Sequence, residues 1–223
     1  MIQHILEYAG IAVLAASGAV VGVRKGFDLF GIAVLAVLTG IGGNVMRDVL
    51  LGAFPPASLQ HWAPVTVCFV AAVLTTAFAK LVIKLSQLVL VLDAIGMGFF
   101  ATTGAAISVD HGASYFAAAL LGMVSAIAGT IMRDIVAREV PMVMGPDDDM
   151  YAAPAMLGAV VYVAIDSVGA QWLGVAVGSI VATLLRLAAI TFHWRLPTGP
   201  RELHVNPAPV EDHQCAAASQ LRP

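Results

Sequence analysis

Charged residues are scarce in this chain of 223 residues, since only 11% are Asp, Glu, Lys or Arg while 60% are hydrophobic. A soluble domain carries about 25% charged residues. The composition therefore excludes an ordinary soluble protein and predicts one that crosses a membrane several times, in agreement with a mean hydropathy of +0.90. Cysteine is also scarce, and Cys68 and Cys215 have no partner at disulfide-framework or metal-ligand spacing. We expect no metal and no other cofactor.

Basic residues are neither numerous nor clustered. The 11 Lys and Arg are outnumbered by 14 Asp and Glu, and the net charge is −3. A nucleic-acid surface needs a massed positive patch, so nucleic acid is not an expected partner. No nucleophile, base or ligand cluster converges on one predicted helix face, and we do not expect an enzyme.

Long apolar runs dominate what is present. A helix needs about 20 apolar residues to cross the hydrocarbon core, and the charged or Gly- and Pro-rich breaks divide the chain into such runs. We predict an all-α membrane protein with transmembrane helices over 5–23, 29–51, 63–83, 86–109, 115–138, 149–165 and 170–192. The polar, Pro- and Ala-rich stretch after the last helix, 194–223, predicts a disordered tail.

The orientation follows from the basic residues in short loops, which favour the cytoplasmic side. Loops 52–62, 110–114 and 166–170 contain no Lys or Arg. The alternate connections carry all six: Arg24, Lys25, Lys80, Lys84, Arg138 and Arg195. We therefore predict that the N-terminus lies outside and the C-terminus lies in the cytoplasm.

An internal repeat is the most informative feature. When the sequence is shifted by 86 residues, 6–55 align with 92–141 and 16 of the 50 positions are identical. Each copy has three predicted helices, and because that number is odd, the second copy enters the membrane from the opposite side. The sequence thus predicts inverted repeats over 1–85 and 86–168 and a seventh helix over 169–193, an arrangement typical of transport proteins.

The second helix of each repeat contains the same polar element ending in Arg-Asp. An ionised side chain at the bilayer centre costs at least about 2.5–3.5 kcal/mol, so its occurrence twice in register points to function. Two interpretations remain: an arginine that gates an ion path while paired with carboxylates, or one that reaches the membrane surface. The candidate pore and gating residues are Thr39, Asn44, Arg47, Asp48, Ser125, Arg133 and Asp134.

Glycines precede the first Arg-Asp, and each costs about 1 kcal/mol relative to alanine inside a helix. They predict a bend that turns carbonyl groups towards a polar path, although small residues also permit close helix packing. The candidate kink residues are Gly40, Gly42, Gly43 and Gly129. Glu7 and Asp93, at matched positions in the repeats, are candidate counter-ions of the arginines or helix-dipole partners.

Two other features receive a weaker interpretation. The run Asp147-Asp148-Asp149 is predicted to be a solvated cytoplasmic loop rather than a cation site. Arg186, near the inner end of the seventh helix, is expected to extend its side chain to the membrane surface.

The chain resembles the prokaryotic trimeric intracellular cation (TRIC) channels, a family once called a glycine-transporter-like domain. The resemblance covers about residues 5–192, rests on the run 40–56 and its echo at 129–141, and departs where Ala126 and Ala128 replace Gly40 and Gly42. It implies a homotrimer in a prokaryotic inner membrane, in contact with membrane lipids, with one pore per subunit lined by the second and fifth helices. That pore is expected to pass potassium and, less well, sodium. A secondary transporter of glycine or another small metabolite, and a non-conducting scaffold, are the alternatives.

Overall fold

The structure is a computed structural model that describes residues 2–84, 86–145 and 149–194. It is helical, and these ranges contain no β-strand. The helices are α1 Ile2–Arg24, α2 Leu29–Leu51, α3 Ala57–Gln60, α4 Trp62–Ala77, α5 Ala79–Lys84, α6 Ser86–Asp110, α7 Tyr115–Val136, α8 Ala152–Asp166 and α9 Gln171–Phe192. The all-α class is thereby confirmed.

Five of these helices are long and apolar enough to cross a membrane, namely α1, α2, α6, α7 and α9. The other two apolar helices are shorter: α4 has 16 residues and α8 has 15, which is about 24 and 22 Å of helix at 1.5 Å per residue. The predicted third span, 63–83, is divided at Phe78 into α4 and α5. The predicted tail from residue 195 lies outside the described residues.

The repeated halves begin their central helices with the same device. Asp28 caps α2 by accepting a hydrogen bond from the N–H of Gly31 at 2.7 Å. Ser114, which is 86 residues further along, caps α7 by accepting one from the N–H of Ala117 at 3.3 Å. These caps satisfy backbone donors that a helix start leaves free, which is why both helices begin where the sequence pattern predicts.

The core is built mainly from alanine, glycine and a few large side chains. Ile11, Met97 and Phe100 are buried among many alanines, and α2 packs against α1, α4 and α7. Small residues let helix backbones approach closely in a membrane protein. Many large apolar side chains point outward, including Phe116, Trp172 and Leu184. That outward apolar surface is suited to lipid, and the chain is an integral membrane protein.

Contacts between connections define two ends of the bundle. At one end, Lys25 pairs with Glu139 at 2.6 Å, and the N–H of Met150 donates to the carbonyl of Trp194 at 2.9 Å. This places the α1–α2 turn, the α7–α8 connection and the end of α9 together. At the other end, the Gln171 amide donates to Asp110 at 3.4 Å, joining the α6–α7 turn to the start of α9.

Candidate functional site

Arg47 lies in the last two turns of α2 and is buried, with only 4% of its side chain exposed. Its Nε and Nη2 both donate to Oδ1 of the adjacent Asp48, at 2.9 and 2.6 Å. The other carboxylate oxygen, Oδ2, accepts the backbone N–H of Ala57 at 2.9 Å. Because a buried charge needs a close opposite charge and hydrogen bonds, this arrangement accounts for an ion pair inside an apolar bundle.

Arg133 in α7 repeats the arrangement. Its Nε donates to Oδ1 of Asp134 at 2.7 Å, and Nη2 lies 2.7 Å from the same oxygen. Oδ2 of Asp134 accepts the backbone N–H of Met142 at 3.0 Å. In both halves, therefore, the aspartate ties its arginine to the segment that follows the helix, and the interpretation of arginines that reach the membrane surface does not fit this burial.

Polar side chains continue from the Arg47 pair into α7. Nη1 of Arg47 lies 3.3 Å from Oδ1 of Asn44 and 3.4 Å from Oγ of Ser125. Ser125 itself donates to Asn44 at 2.8 Å. Thr39 is also buried, but its hydroxyl donates to the Leu35 carbonyl within its own helix at 2.6 Å. The structure thus joins Asn44, Arg47 and Ser125 directly and leaves Thr39 beside them.

Three of the glycines, Gly42, Gly43 and Gly129, lie where α2 and α7 cross, whereas Gly40 faces α1 and α4. A Cβ atom added at Gly43 would collide with the carbonyl of Ser125, and one at Gly129 would lie 2.6 Å from the carbonyl of Thr39. One at Gly42 would lie 2.6 Å from Cε of Met132, and one at Gly40 would lie 2.8 Å from Sγ of Cys68. These contacts give the glycines a packing role. Both helices are continuous through this region, and the predicted bend stays a prediction.

The matched acidic residues have different surroundings. Glu7 lines a cavity of about 210 Å³ together with Arg47, Asn44 and Thr103. Asp93 is buried and accepts a hydrogen bond from the hydroxyl of Tyr151 at 3.2 Å. Both acidic residues therefore lie near the arginine ends of the polar region, while the closest ion pairs of the arginines are made by Asp48 and Asp134.

Three polar residues near the Arg133 end were not predicted as site residues. Ser17 accepts a hydrogen bond from Arg133 at 3.2 Å, and Tyr151 contacts Asp93. Arg186 is 3% exposed and donates to the carbonyls of Asp149 and Met150 at 3.1 and 2.9 Å, so the expectation that it extends to the surface is wrong. A signal existed in the sequence: Gly174, Gly178 and Ala182 precede Arg186 at intervals of four residues and place it on the small-residue face of α9, which is the buried face.

The acidic run is only partly visible. Asp147 and Asp148 lie outside the described residues. The carboxylate of Asp149 lies 3.5 Å from Nδ1 of His193, the residue that follows α9. The predicted solvated loop stays a prediction.

The comparison with known proteins reflects the two repeated halves of this chain. A family model described as glycine transporter matches residues 4–80 and again 90–167. A UPF0126 membrane protein of Deinococcus radiodurans is 37% identical over 170 residues, which are 76% of this chain and 75% of that protein. The UPF0126 inner membrane protein YadS of Escherichia coli K12 is 32% identical over 201 residues, covering 89% and 96%.

Solved structures agree with the sequence relatives. One determined to explain conductance through TRIC cation channels superimposes with a TM-score of 0.85 at 30% identity, covering 90% of this chain and 98% of that one. The trimeric intracellular cation channel orthologue from Rhodobacter sphaeroides gives 0.80 at 33% identity, covering 86% and 98%. This chain belongs to the TRIC family. The resemblance based on the duplicated Gly-rich Arg-Asp element is confirmed.

Membership of the TRIC family gives the site its context. The family model matches two segments of this chain, and each segment contributes one buried arginine–aspartate pair. The solved TRIC relatives are described as channels and not as enzymes. In this site, carboxylates hold the fixed positive charges of the arginines in place, and amide and hydroxyl oxygens lie beside them. Such a site suits the selective passage of ions more than the catalysis of a reaction.

Proposed function

We propose that the protein is a cation channel that conducts potassium and, less well, sodium along a path between α2 and α7. The observation that carries the proposal is the pair of buried Arg-Asp units in these two touching helices. Beside Arg47, the helices are joined by the hydrogen bond from Ser125 to Asn44. Ionised groups inside a membrane protein are costly and mark ion or substrate pathways. The solved structures to which this chain is similar are those of TRIC cation channels, which supports the same function.

The proposed path has an arginine near each end and polar oxygens between them. Arg47, Asp48, Asn44 and Ser125 form one part, with Glu7 at the adjoining cavity. The other part consists of Arg133, Asp134 and Asp93. Thr39 and the glycines at the crossing, Gly42, Gly43 and Gly129, would line the middle. These glycines, together with Gly40 on the face towards α1 and α4, would allow a bend when the path opens.

The proposed topology is a pair of inverted three-helix repeats, 1–85 and 86–168, followed by a seventh helix over 169–193. The contacts of Lys25 with Glu139 and of Asp110 with Gln171 support it, because they bring matched ends of the repeats to opposite ends of the bundle. Basic residues at the Lys25 end support a cytoplasmic position for that end and for the tail 194–223. The N-terminus would then lie outside the inner membrane.

We further propose a homotrimer with one path in each subunit, surrounded by membrane lipids. The description of the Rhodobacter sphaeroides relative as trimeric supports this assembly. Many exposed apolar side chains on the described helices, such as Val73, Ile95 and Ile180, leave ample surface for both lipid and neighbouring subunits.

Potassium flux tests the function directly. Purified protein reconstituted into liposomes loaded with KCl is expected to release potassium faster than empty vesicles when an electrical driving force is applied. A control preparation that has been heat-denatured before reconstitution should match empty vesicles. Correctly folded protein without flux above that background would refute the channel.

A transporter of glycine or another small metabolite is the second candidate, favoured by the description of the matching family model and by the use of inverted repeats in transporters. Uptake of labelled glycine that saturates and depends on an ion gradient would favour it. A linear single-channel current in planar bilayers, with no effect of added glycine, would favour the channel.

A further inference from the structure

The two arginine ends of the site are built from repeated sequence, yet they are not equivalent. Arg47 and Arg133 make the same bonds to their neighbouring aspartates. The matched acidic residues differ, because Glu7 lines a cavity whereas Asp93 is covered by Tyr151. The Arg133 end also contains a charged residue from outside the repeats.

That additional component is Arg186 of α9. Its guanidinium carbon lies 4.5 Å from the centroid of the Tyr151 ring, a cation–π distance. Tyr151 in turn donates its hydroxyl to Asp93. Because α9 begins at Gln171, after the second matched segment ends at residue 167, this third arginine has no repeated counterpart.

The charge of Arg186 is held differently from that of the other two arginines. Arg47 and Arg133 close onto a carboxylate at 2.6–2.7 Å, whereas Arg186 donates to the neutral carbonyls of Asp149 and Met150. Within the described residues, Nε of Arg186 and Oδ1 of Asp93 have no hydrogen-bond partner. Asp93 nevertheless experiences the attraction of both Arg133 and Arg186. Arg133 and, to a smaller extent, Arg186 thus offset the charge of Asp93, and Arg186 does so from the far side of the Tyr151 ring.

We infer that Arg186 sets how readily cations enter the path from the Arg133 end, because it offsets the charge of Asp93 there and nowhere else. The inference rests on the proposed channel function. A fixed charge at one mouth changes the local cation concentration on that side only. Arg186 therefore controls the direction dependence of the current, which is the ratio of the currents at equal positive and negative voltage.

Single-channel currents of the full chain in planar bilayers with equal KCl on both sides test the inference. Arg186→Gln leaves Asp93 opposed by Arg133 alone, so the current entering from the Arg133 end should rise. The ratio should change about two- to fivefold, the size expected for one charge a few ångströms away in a watery path. Arg186→Lys should keep the wild-type ratio. Lys84→Gln, which removes an exposed charge of α5, serves as the matched control and should also keep it.

Asp93→Asn provides the opposite change, because it leaves the positive charge of Arg186 without the opposing charge of Asp93 and should shift the ratio the other way. If Arg186→Gln does not fold, Asp93→Asn alone decides the question. Both shifts should shrink in 1 M KCl, where the Debye length is about 3 Å, a response that a purely structural role would not produce. Wild-type ratios in both variants, or shifts in the same direction, would overturn the inference. Absence of current in the wild type would instead refute the channel function itself.

Discussion

At the scale of single residues, the buried arginine and its sequence neighbour act as one neutral unit. Asp48 receives two donors of Arg47 and one backbone N–H, so neither charge is left without compensation. Removing one partner of such a pair leaves an uncompensated charge, which costs about 3–5 kcal/mol. The effect on a cation path depends on the sign of the charge that remains.

Neutralising either arginine should increase cation current. In Arg47→Gln or Arg133→Gln the neighbouring aspartate stays negative beside the path, and a negative fixed charge attracts cations and lowers their barrier. We expect a several-fold rise in single-channel conductance or open probability in bilayers. Arg24→Gln, at an exposed position at the end of α1, should have no effect.

The double variant Arg47→Gln/Asp48→Asn separates charge from shape. It restores the pair to neutrality with side chains of similar size, so current should return towards the wild-type value. Equal currents in the single and double variants would show that the charge of Asp48 is irrelevant. Unchanged current in Arg47→Gln, in Arg133→Gln and in their combination would argue against any role of these arginines in the path.

At the scale of helices, the sequence predicts an element well where its ends are set locally. The prediction of 29–51 coincides with α2, because Asp28 caps its start and Gly52, with φ of 70°, ends it. The predicted helix over 63–83 is instead broken at Phe78, where neither proline nor glycine marks the boundary. A break of this kind depends on how the helix packs, which the local pattern does not encode.

The site residues also divide into those that the sequence predicts and those that depend on packing. The pairing of Arg47 with Asp48 and of Arg133 with Asp134 was among the expected pairings, because the element occurs twice in the sequence. Tyr151 and Arg186 were missed, since the contact of Tyr151 with Asp93 and that of Arg186 with Tyr151 depend on how the start of α8 and the unrepeated helix α9 pack in the bundle. Sequence periodicity reports which residues recur, but an unrepeated helix supplies side chains to the site without that signal.

The crossing of α2 and α7 gives a prediction at this scale. Gly43→Ala places a methyl group against the carbonyl of Ser125, and Gly129→Ala places one 2.6 Å from the carbonyl of Thr39. Backbone atoms on a neighbouring helix cannot yield cheaply, so each variant should lose about 1–3 kcal/mol of stability. The thermal unfolding midpoint in detergent measures this loss.

Gly96→Ala is the matched control for that experiment. Gly96 is also inside a long helix and aligns with Gly10 in the repeat, but the nearest atom to an added Cβ is 3.7 Å away. The substitution should be neutral or slightly stabilising, because alanine favours helix by about 1 kcal/mol over glycine. If Gly43→Ala proves as stable as Gly96→Ala, the crossing is looser than the structure indicates.

At the scale of the whole molecule, the position of matched turns distinguishes inverted from parallel repeats. Lys25 and His111 occupy equivalent positions 86 residues apart. Lys25 contacts Glu139 at one end of the bundle, whereas the neighbour of His111, Asp110, contacts Gln171 at the other. Inverted repeats therefore predict that these two positions face opposite sides of the membrane.

Labelling of introduced cysteines checks this prediction in intact cells. In a Cys215→Ser background, in which the remaining Cys68 is fully buried, His111→Cys should react with a membrane-impermeant maleimide added outside. Lys25→Cys should react only after the membrane is permeabilised, and its loss of an exposed ion pair costs about 0–1 kcal/mol, so the fold should persist. Labelling of both positions from the same side would contradict the inverted repeats. Labelling of Lys25→Cys alone from outside would show that the orientation is the reverse of the one assigned here, with the repeats still inverted.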